Sequence, residues 1–150
     1  NAGARSGDAF RYRMGRLMQF SANLGFLWTE LELPDAIRAA KAAGFDAVEC
    51  HWPYDIDSAQ VKAALLETNM TMLGLNTSRG NVSAGDNGLS ALPDRIPQAR
   101  AAIDQALAYG NAIGARNVHV MAGFSHGVEA HKTFVENLKY ACERNTNQKR

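Results

Sequence analysis

The stretch NVHVMAG, residues 117–123, decides how the rest of the chain is read. Val118, Val120 and Ala122 alternate with Asn117, His119 and Met121, which is the two-residue period of a β-strand with one apolar and one mixed face. His119 stands in the middle of a run that otherwise belongs in a core. The strand ends on the small pair Ala122-Gly123, which would let a ligand or a loop come close to the backbone. Just before it, Ala99, Ile103, Ala106, Leu107, Gly110 and Ile113 step by three and four along a helix that Gly114 ends, with Arg100, Asp104 and Gln105 on the other side. Just after it, a helix over about 128–144 is expected to bury Phe134, Val135, Leu138, Ala141 and Cys142.

The same alternation extends back to Met18. MQFSANL (18–24), DAVECH (46–51) and MTMLGLN (70–76) read as strands. PDAIRAAKAAGF (34–45) reads as a helix, with Pro34 in its first turn and Gly44 as the left-handed residue after its last. Asp57 or Ser58 caps another helix, which runs to about Thr68 and stops at Asn69. A loop rich in Gly, Ser and Asn follows at 77–93; it is long for a compact domain and so a candidate for function. The order βαβαβαβα requires parallel strands joined by right-handed crossovers, with helices covering the sheet. A doubly wound nucleotide fold would carry a glycine-rich phosphate turn after its first strand. Here MQFSANL is followed by GFLWTELEL, with one glycine and no G-x-G-x-x-G. The expectation is therefore part of a (β/α)₈ barrel.

Composition narrows the function classes. One hundred and fifty residues, 46% hydrophobic and 21% charged, make one ordinary globular domain. The net charge of +1 conceals an uneven distribution. Arg5, Arg11, Arg13 and Arg16 face only Asp8 within residues 1–17, which read as an extension to the patterned domain at 18–150. The remainder has a slight acidic excess, without the basic stripe of a nucleic-acid surface. No apolar run approaches the roughly 18 residues of a membrane span, and residues 1–17 lack the apolar stretch of a secretory signal. Cys50 and Cys142 form no metal-type spacing and read as two buried thiols in a reducing, cytoplasmic compartment. His126 and His131 read as surface residues.

Strand parity then locates the chemistry. Phe20, Ala22 and Leu24, Val48 and Cys50, Leu73 and Leu75, and Val118, Val120 and Ala122 form the apolar parity, expected against the helices. The opposite parity carries Ser21 and Asn23, Ala47, Glu49 and His51, Met72, Gly74 and Asn76, and Asn117, His119 and Met121. Any one of these polar residues can be a satisfied core group. Four strands sending Asn, Glu, Asn and His to one side point instead to a pocket, at the end of the strands where catalytic groups of such barrels collect.

These residues also carry a family resemblance. FSANLGFLWTE, AAKAAGFDAVECHWPYD, GLNTSRGNVSAGDNGLSALP and NVHVMAG resemble the first half of bacterial hydroxypyruvate isomerases and the related 2-oxo-tetronate isomerases, which are xylose-isomerase-like (β/α)₈ barrels. The resemblance runs from about Met18 to Arg144, with GLSALP and VHVMAG its most specific parts. It implies a small 2-oxo acid or sugar-acid substrate of glyoxylate and carbohydrate metabolism. It also implies conversion of hydroxypyruvate to tartronate semialdehyde through an enediolate. A divalent cation such as Mg²⁺ would stabilise the enediolate oxygens in the full-length protein, with none held by these 150 residues alone. The family's two catalytic glutamates end the fifth and eighth strands, beyond Arg150. What the resemblance leaves here is a substrate-binding set of Asn23, Glu49, Asn76 and His119, with Ser90 on the 77–93 loop as part of a lid. His51 and Arg79 fall where it offers no match. The alternative within the superfamily is a metal-dependent DNA-repair endonuclease, whose zinc-binding histidines would fall at Asn76 and Met121. A third reading is a half-barrel that pairs its open edges with another copy, forming a homo-oligomer.

Overall fold

The computed structural model describes residues 18–147. The extension assigned to residues 1–17 lies outside them. Five short strands and four helices form the frame: β1 (Ser21–Asn23), α1 (Leu33–Ala42), β2 (Ala47–Glu49), α2 (Ser58–Thr68), β3 (Thr71–Met72), β4 (Gly74–Asn76), α3 (Ile96–Ile113), β5 (Asn117–His119) and α4 (Gly127–Asn147). Single 3₁₀ turns at Val82–Ala84 and Pro93–Arg95 interrupt the long loop. β1, β2 and β3 pair in chain order, β4 pairs with β5, and every pairing is parallel. Each helix packs on the next, so the helices form one outer layer. This is the expected run of βα units, with strands shorter than their apolar patterns.

Local chemistry sets the boundaries. Asp57 caps α2 by accepting the Ala59 N–H at 2.9 Å, and Asn69 ends it in the left-handed region at φ +52°. Gly114 ends α3 at φ +73°. The core lies between strands and helices. Ala22, Val48 and Leu75 from the sheet meet Ile37, Val61 and Ala106 from the helices, all at most 1% exposed. Fully burying a Val, Leu or Ile side chain such as these stabilises the fold by about 1.5–3 kcal/mol.

Parity fails in one strand. Met72, expected on the concave side, is 1% exposed and lies in register with Val48 on the helix side. Leu73, expected against the helices, lines the concave surface. The cause is an extra residue. Leu73 N–H donates to Val48 O at 2.7 Å, but the next bond runs from Cys50 N–H to Gly74 O at 3.0 Å, so Leu73 and Gly74 together oppose Glu49. Such a bulge shifts the side-chain phase by one, and Leu75 and Asn76 resume the expected faces.

Two other expectations fail. Phe20 is 52% exposed, because it precedes β1 at the rim of the sheet. Helix α4 is rotated from its predicted orientation. It buries Ala130, Thr133 and Asn137, while Leu138 is 36% exposed and Cys142 is exposed. The outer face of α3 explains this. Asp104 accepts hydrogen bonds from the Tyr140 hydroxyl (2.8 Å) and Arg144 Nε (2.9 Å). Arg100 donates to Asn137 Oδ1 (3.3 Å) and stacks on the Tyr140 ring. α4 therefore docks through a polar stripe. Its apolar side borders a crevice with Ile103, Leu107, Val118 and Val120.

Candidate functional site

The ends of four βα units meet at a concavity of about 630 Å³, lined by Asn23, Glu49, His51, Leu73, Gly74, Asn76, Asn117 and His119 among others. Asn23 of β1, Glu49 of β2, Asn76 of β4 and His119 of β5 share this surface because register aligns them: Asn23 opposes Glu49, and Asn76 opposes His119. The imidazole in the strand is thus explained by which face it occupies. His119 Nδ1 lies 3.2 Å from Asn76 Oδ1. With the amide oxygen accepting, the imidazole hydrogen lies on Nδ1 and Nε2 is left to accept a hydrogen bond.

The positions of these side chains are held from behind. Asn23, which lines the cavity, accepts Gly25 N–H on Oδ1 at 2.9 Å, so its NH₂ is the group left to donate. The Tyr54 hydroxyl donates to Asn76 O. Asn117 Nδ2 donates to Leu73 O at 2.9 Å, across the bulge. Burial, helped by the Glu49 charge, pushes the Cys50 thiol up to about 12, which makes it an inert packing group. Burial likewise raises the Tyr54 hydroxyl above its ordinary range. Both stay neutral at physiological pH.

The 77–93 loop, read from the sequence as a lid, lies hydrogen-bonded against the segment after β5 and forms a wall. Thr77, 1% exposed, accepts Met121 N–H on Oγ1 at 2.9 Å. Ser90 and Ala91 N–H donate to Met121 O (3.1 Å) and Ala122 O (2.8 Å), and Gly88 forms an antiparallel bridge with Ala122. What approaches the backbone at Ala122-Gly123 is this loop. A Cβ on Gly123, at φ +85°, would lie 2.1 Å from Gly88 O. Ser90 is 2% exposed, and its carbonyl accepts Asn137 Nδ2 at 2.9 Å. The structure brings Ser90 to the correct end of the strands but under the wall, not onto the concave lining.

Sequence reasoning missed Thr77, Asn137 and Trp52. Asn137 carried a signal, since Ala130, Thr133 and Asn137 recur at spacings of three and four. His51 packs face-on against Gly25, where a Cβ would come within 2.2 Å of the ring, and edge-on to Phe26 and Trp52 at 4.9 and 5.0 Å. Among the described residues, no three His, Cys, Asp or Glu side chains converge as a metal ion would require.

Comparison with known proteins agrees with this architecture. Residues 37–148 match the family described as Xylose isomerase-like TIM barrel. The chain belongs to that family. It is 39% identical over 135 residues to a Xenopus laevis protein called "Putative hydroxypyruvate isomerase", covering 84% of this chain and 49% of that one. It is also 39% identical over 130 residues to the 2-oxo-tetronate isomerase of Pectobacterium atrosepticum, covering 84% of this chain and 50% of that one. The chain thus spans about half the length of the curated relatives it matches. Among solved structures, an AP endonuclease, family 2, from Brucella melitensis superposes with a TM-score of 0.80 at 32% identity, over 87% of this chain and 52% of that one. A D-allulose 3-epimerase from Methylomonas sp. superposes at 0.64 with 18% identity, over 87% of this chain and 48% of that one, a likeness of fold alone.

Proposed function

We propose that this chain is the amino-terminal half of a sugar-acid isomerase of the hydroxypyruvate and 2-oxo-tetronate isomerase type, and that its concave surface holds a small 2-oxo or hydroxy acid. The observation that carries the reading is the convergence of Asn23, Glu49, Asn76 and His119 from four strands on one cavity. The names of relatives at 36–40% identity support the reaction class. An enediolate places two oxygens on adjacent carbons. Amide donors from Asn23 and Asn76 suit those oxygens, and Nε2 of His119 suits a substrate hydroxyl. Glu49 has no side-chain hydrogen-bond partner among the described residues, so its carboxylate is available to accept from a hydroxyl. The main proton-transfer carboxylates, and any Mg²⁺ or similar cation they help to hold, belong to the other half of the barrel. Ser90 supports the site indirectly, as part of the wall.

A DNA-repair nuclease has less support, although one structural relative bears that name. Asn76 and Met121 stand where its zinc histidines would fall, and residues 18–150 carry a slight acidic excess. The proposal includes no nucleic-acid or membrane partner and a cytoplasmic location. No helix among the described residues is long and apolar enough to cross a membrane. The test is conversion of hydroxypyruvate to tartronate semialdehyde by the protein in its native length. Turnover should fall at least about tenfold in kcat/KM for His119→Ala, the loss expected when one substrate hydrogen bond is removed. A native-length protein that is inactive on hydroxypyruvate and on 2-oxo-tetronates would overturn the reading.

A further inference from the structure

A sugar acid differs from a sugar by its carboxylate, yet the concave lining offers no permanent cation to receive one: its titratable side chains are Glu49, Cys50, His51 and His119. A permanent cation stands instead on the loop that leaves Asn76. Arg79, three residues past Asn76, lays its guanidinium over the Trp52 ring with Cζ 3.9 Å from the ring centroid. Trp52 is held in turn. Its Nε1–H donates to Thr77 O at 3.1 Å, and its ring abuts His51, which lines the cavity. Thr77 N–H donates to His119 O at 2.9 Å, and Gly88 N–H donates to Arg79 O at 2.9 Å, so the backbone on both sides of the guanidinium is tied to the wall.

The other arginine of this loop, Arg95, is paired with Asp86 at 3.2 Å. Arg79 is half-buried and makes no ion pair with any described residue. Stacking on an aromatic face restrains a guanidinium and leaves its in-plane N–H donors unused, the geometry in which arginine grips a carboxylate with two parallel hydrogen bonds. Amides line the concave floor, and the stacked guanidinium is held on the segment that leaves Asn76, against Trp52, whose ring abuts the floor residue His51.

We propose that Arg79, positioned by Trp52, is the specificity-determining residue that receives the substrate carboxylate and so selects sugar acids over neutral sugars. The inference rests on the sugar-acid reading above. It adds a recognition site that neither the strand pattern nor the names of the relatives assign.

The test compares binding of D-glycerate with that of its neutral amide, D-glyceramide, by isothermal titration calorimetry on the protein in its native length, with the Trp52 indole N–H resonance as a local reporter. The wild type should favour glycerate by about tenfold or more, the range of a charge-assisted hydrogen-bonded pair. Glycerate, but not glyceramide, should move the Trp52 signal. In Arg79→Met the preference should collapse to within about twofold, Arg79→Lys should retain only part of it, and Asn76→Ala should weaken both ligands while preserving their ratio. If Arg79→Met keeps the wild-type preference, or the wild type binds both ligands equally, Arg79 does not read the carboxylate, and the isomerase reading of the floor is untouched. If neither ligand binds the wild type, the sugar-acid reading fails and this inference fails with it. A loss of thermal stability in Arg79→Met with an unchanged ratio would assign the stack a purely structural role.

Discussion

Gly123→Ala should damage the candidate site's wall more than any other glycine-to-alanine change of the same backbone class. Gly123 has φ +85°, and a Cβ there would sit 2.1 Å from Gly88 O and 2.7 Å from Leu92 Cδ1. The left-handed backbone alone costs an L-residue about 1–2 kcal/mol. The clash is with a carbonyl, which cannot rotate away, so the loop must lift. Lifting it weakens the bonds from Ser90 and Ala91 N–H to Met121 O and Ala122 O, each worth about 0.5–1.5 kcal/mol net. With both bonds lost the combined cost is about 2–5 kcal/mol. Gly114→Ala is the control. It shares the left-handed backbone at φ +73°, but its Cβ would meet nothing within 4 Å, so only the first cost of about 1–2 kcal/mol applies. Urea unfolding followed by circular dichroism, at fixed protein concentration, measures both. Hydrogen exchange at Ser90 and Ala91 should accelerate in Gly123→Ala alone. Equal stability of the two variants, with unchanged exchange at Ser90, would refute the stapled-wall account.

Asn137→Ala should cost about 1–3 kcal/mol, because it leaves the Ser90 carbonyl without its 2.9 Å donor beneath the wall; thermal melting of the variant checks this. At pH 8 under native conditions an alkylating reagent should modify Cys142, which is exposed, and spare Cys50, which should react only after unfolding; peptide mass spectrometry distinguishes the two. Stability should fall under alkaline conditions. Burial raises Cys50 from 9.0 to about 12 and Tyr109 from 10.0 to about 12, so the native state retains protons that the unfolded chain releases. That stabilisation is complete below about pH 9 and is lost as pH rises toward 12. Cys50→Ala should flatten the fall in melting temperature between pH 9 and 10. Among the described residues β1 pairs only with β2 and β5 only with β4, while Phe124 and Val128 are 77% and 81% exposed. The 150-residue chain should therefore self-associate. Light scattering after size exclusion tests this, and a sharp 16.3 kDa monomer with a cooperative melt would contradict it.

What was legible in the sequence depended on local periodicity. The concave set Asn23, Glu49, Asn76 and His119 follows from two-residue alternation and from parallel strands in register, so it could be read from residue types alone. The capping residues Asp57, Asn69 and Gly114 act through their own backbone and were equally legible. Met72 and Leu73 exchanged faces because the bulge is defined by which carbonyl of the neighbouring strand each N–H meets, and no local pattern records that. Helix α4 turned its Thr133–Asn137 stripe inward because Arg100 and Asp104 of α3 offered polar partners, a relation between two helices more than thirty residues apart. The same is true of Cys142, which is exposed by that rotation. The wall over Ala122 was hinted at by small residues, but whether a ligand or a loop filled the space depended on the fold of residues 77–93. Trp52 and Arg79 remained illegible because their stack joins the loop after one strand to the loop after another.

The proposed site on the floor of this half-barrel is Asn23, Glu49, Asn76 and His119, and its proposed ligand is a small 2-oxo acid. NMR titration of the protein in its native length with hydroxypyruvate tests it most directly, following the side-chain amides of Asn23 and Asn76 and the His119 ring. The account predicts saturable shifts at those three groups, with none at Leu107 or Leu138 in the crevice behind β5. Shifts confined to that crevice, or none at Asn76 and His119 at saturating ligand, would contradict it.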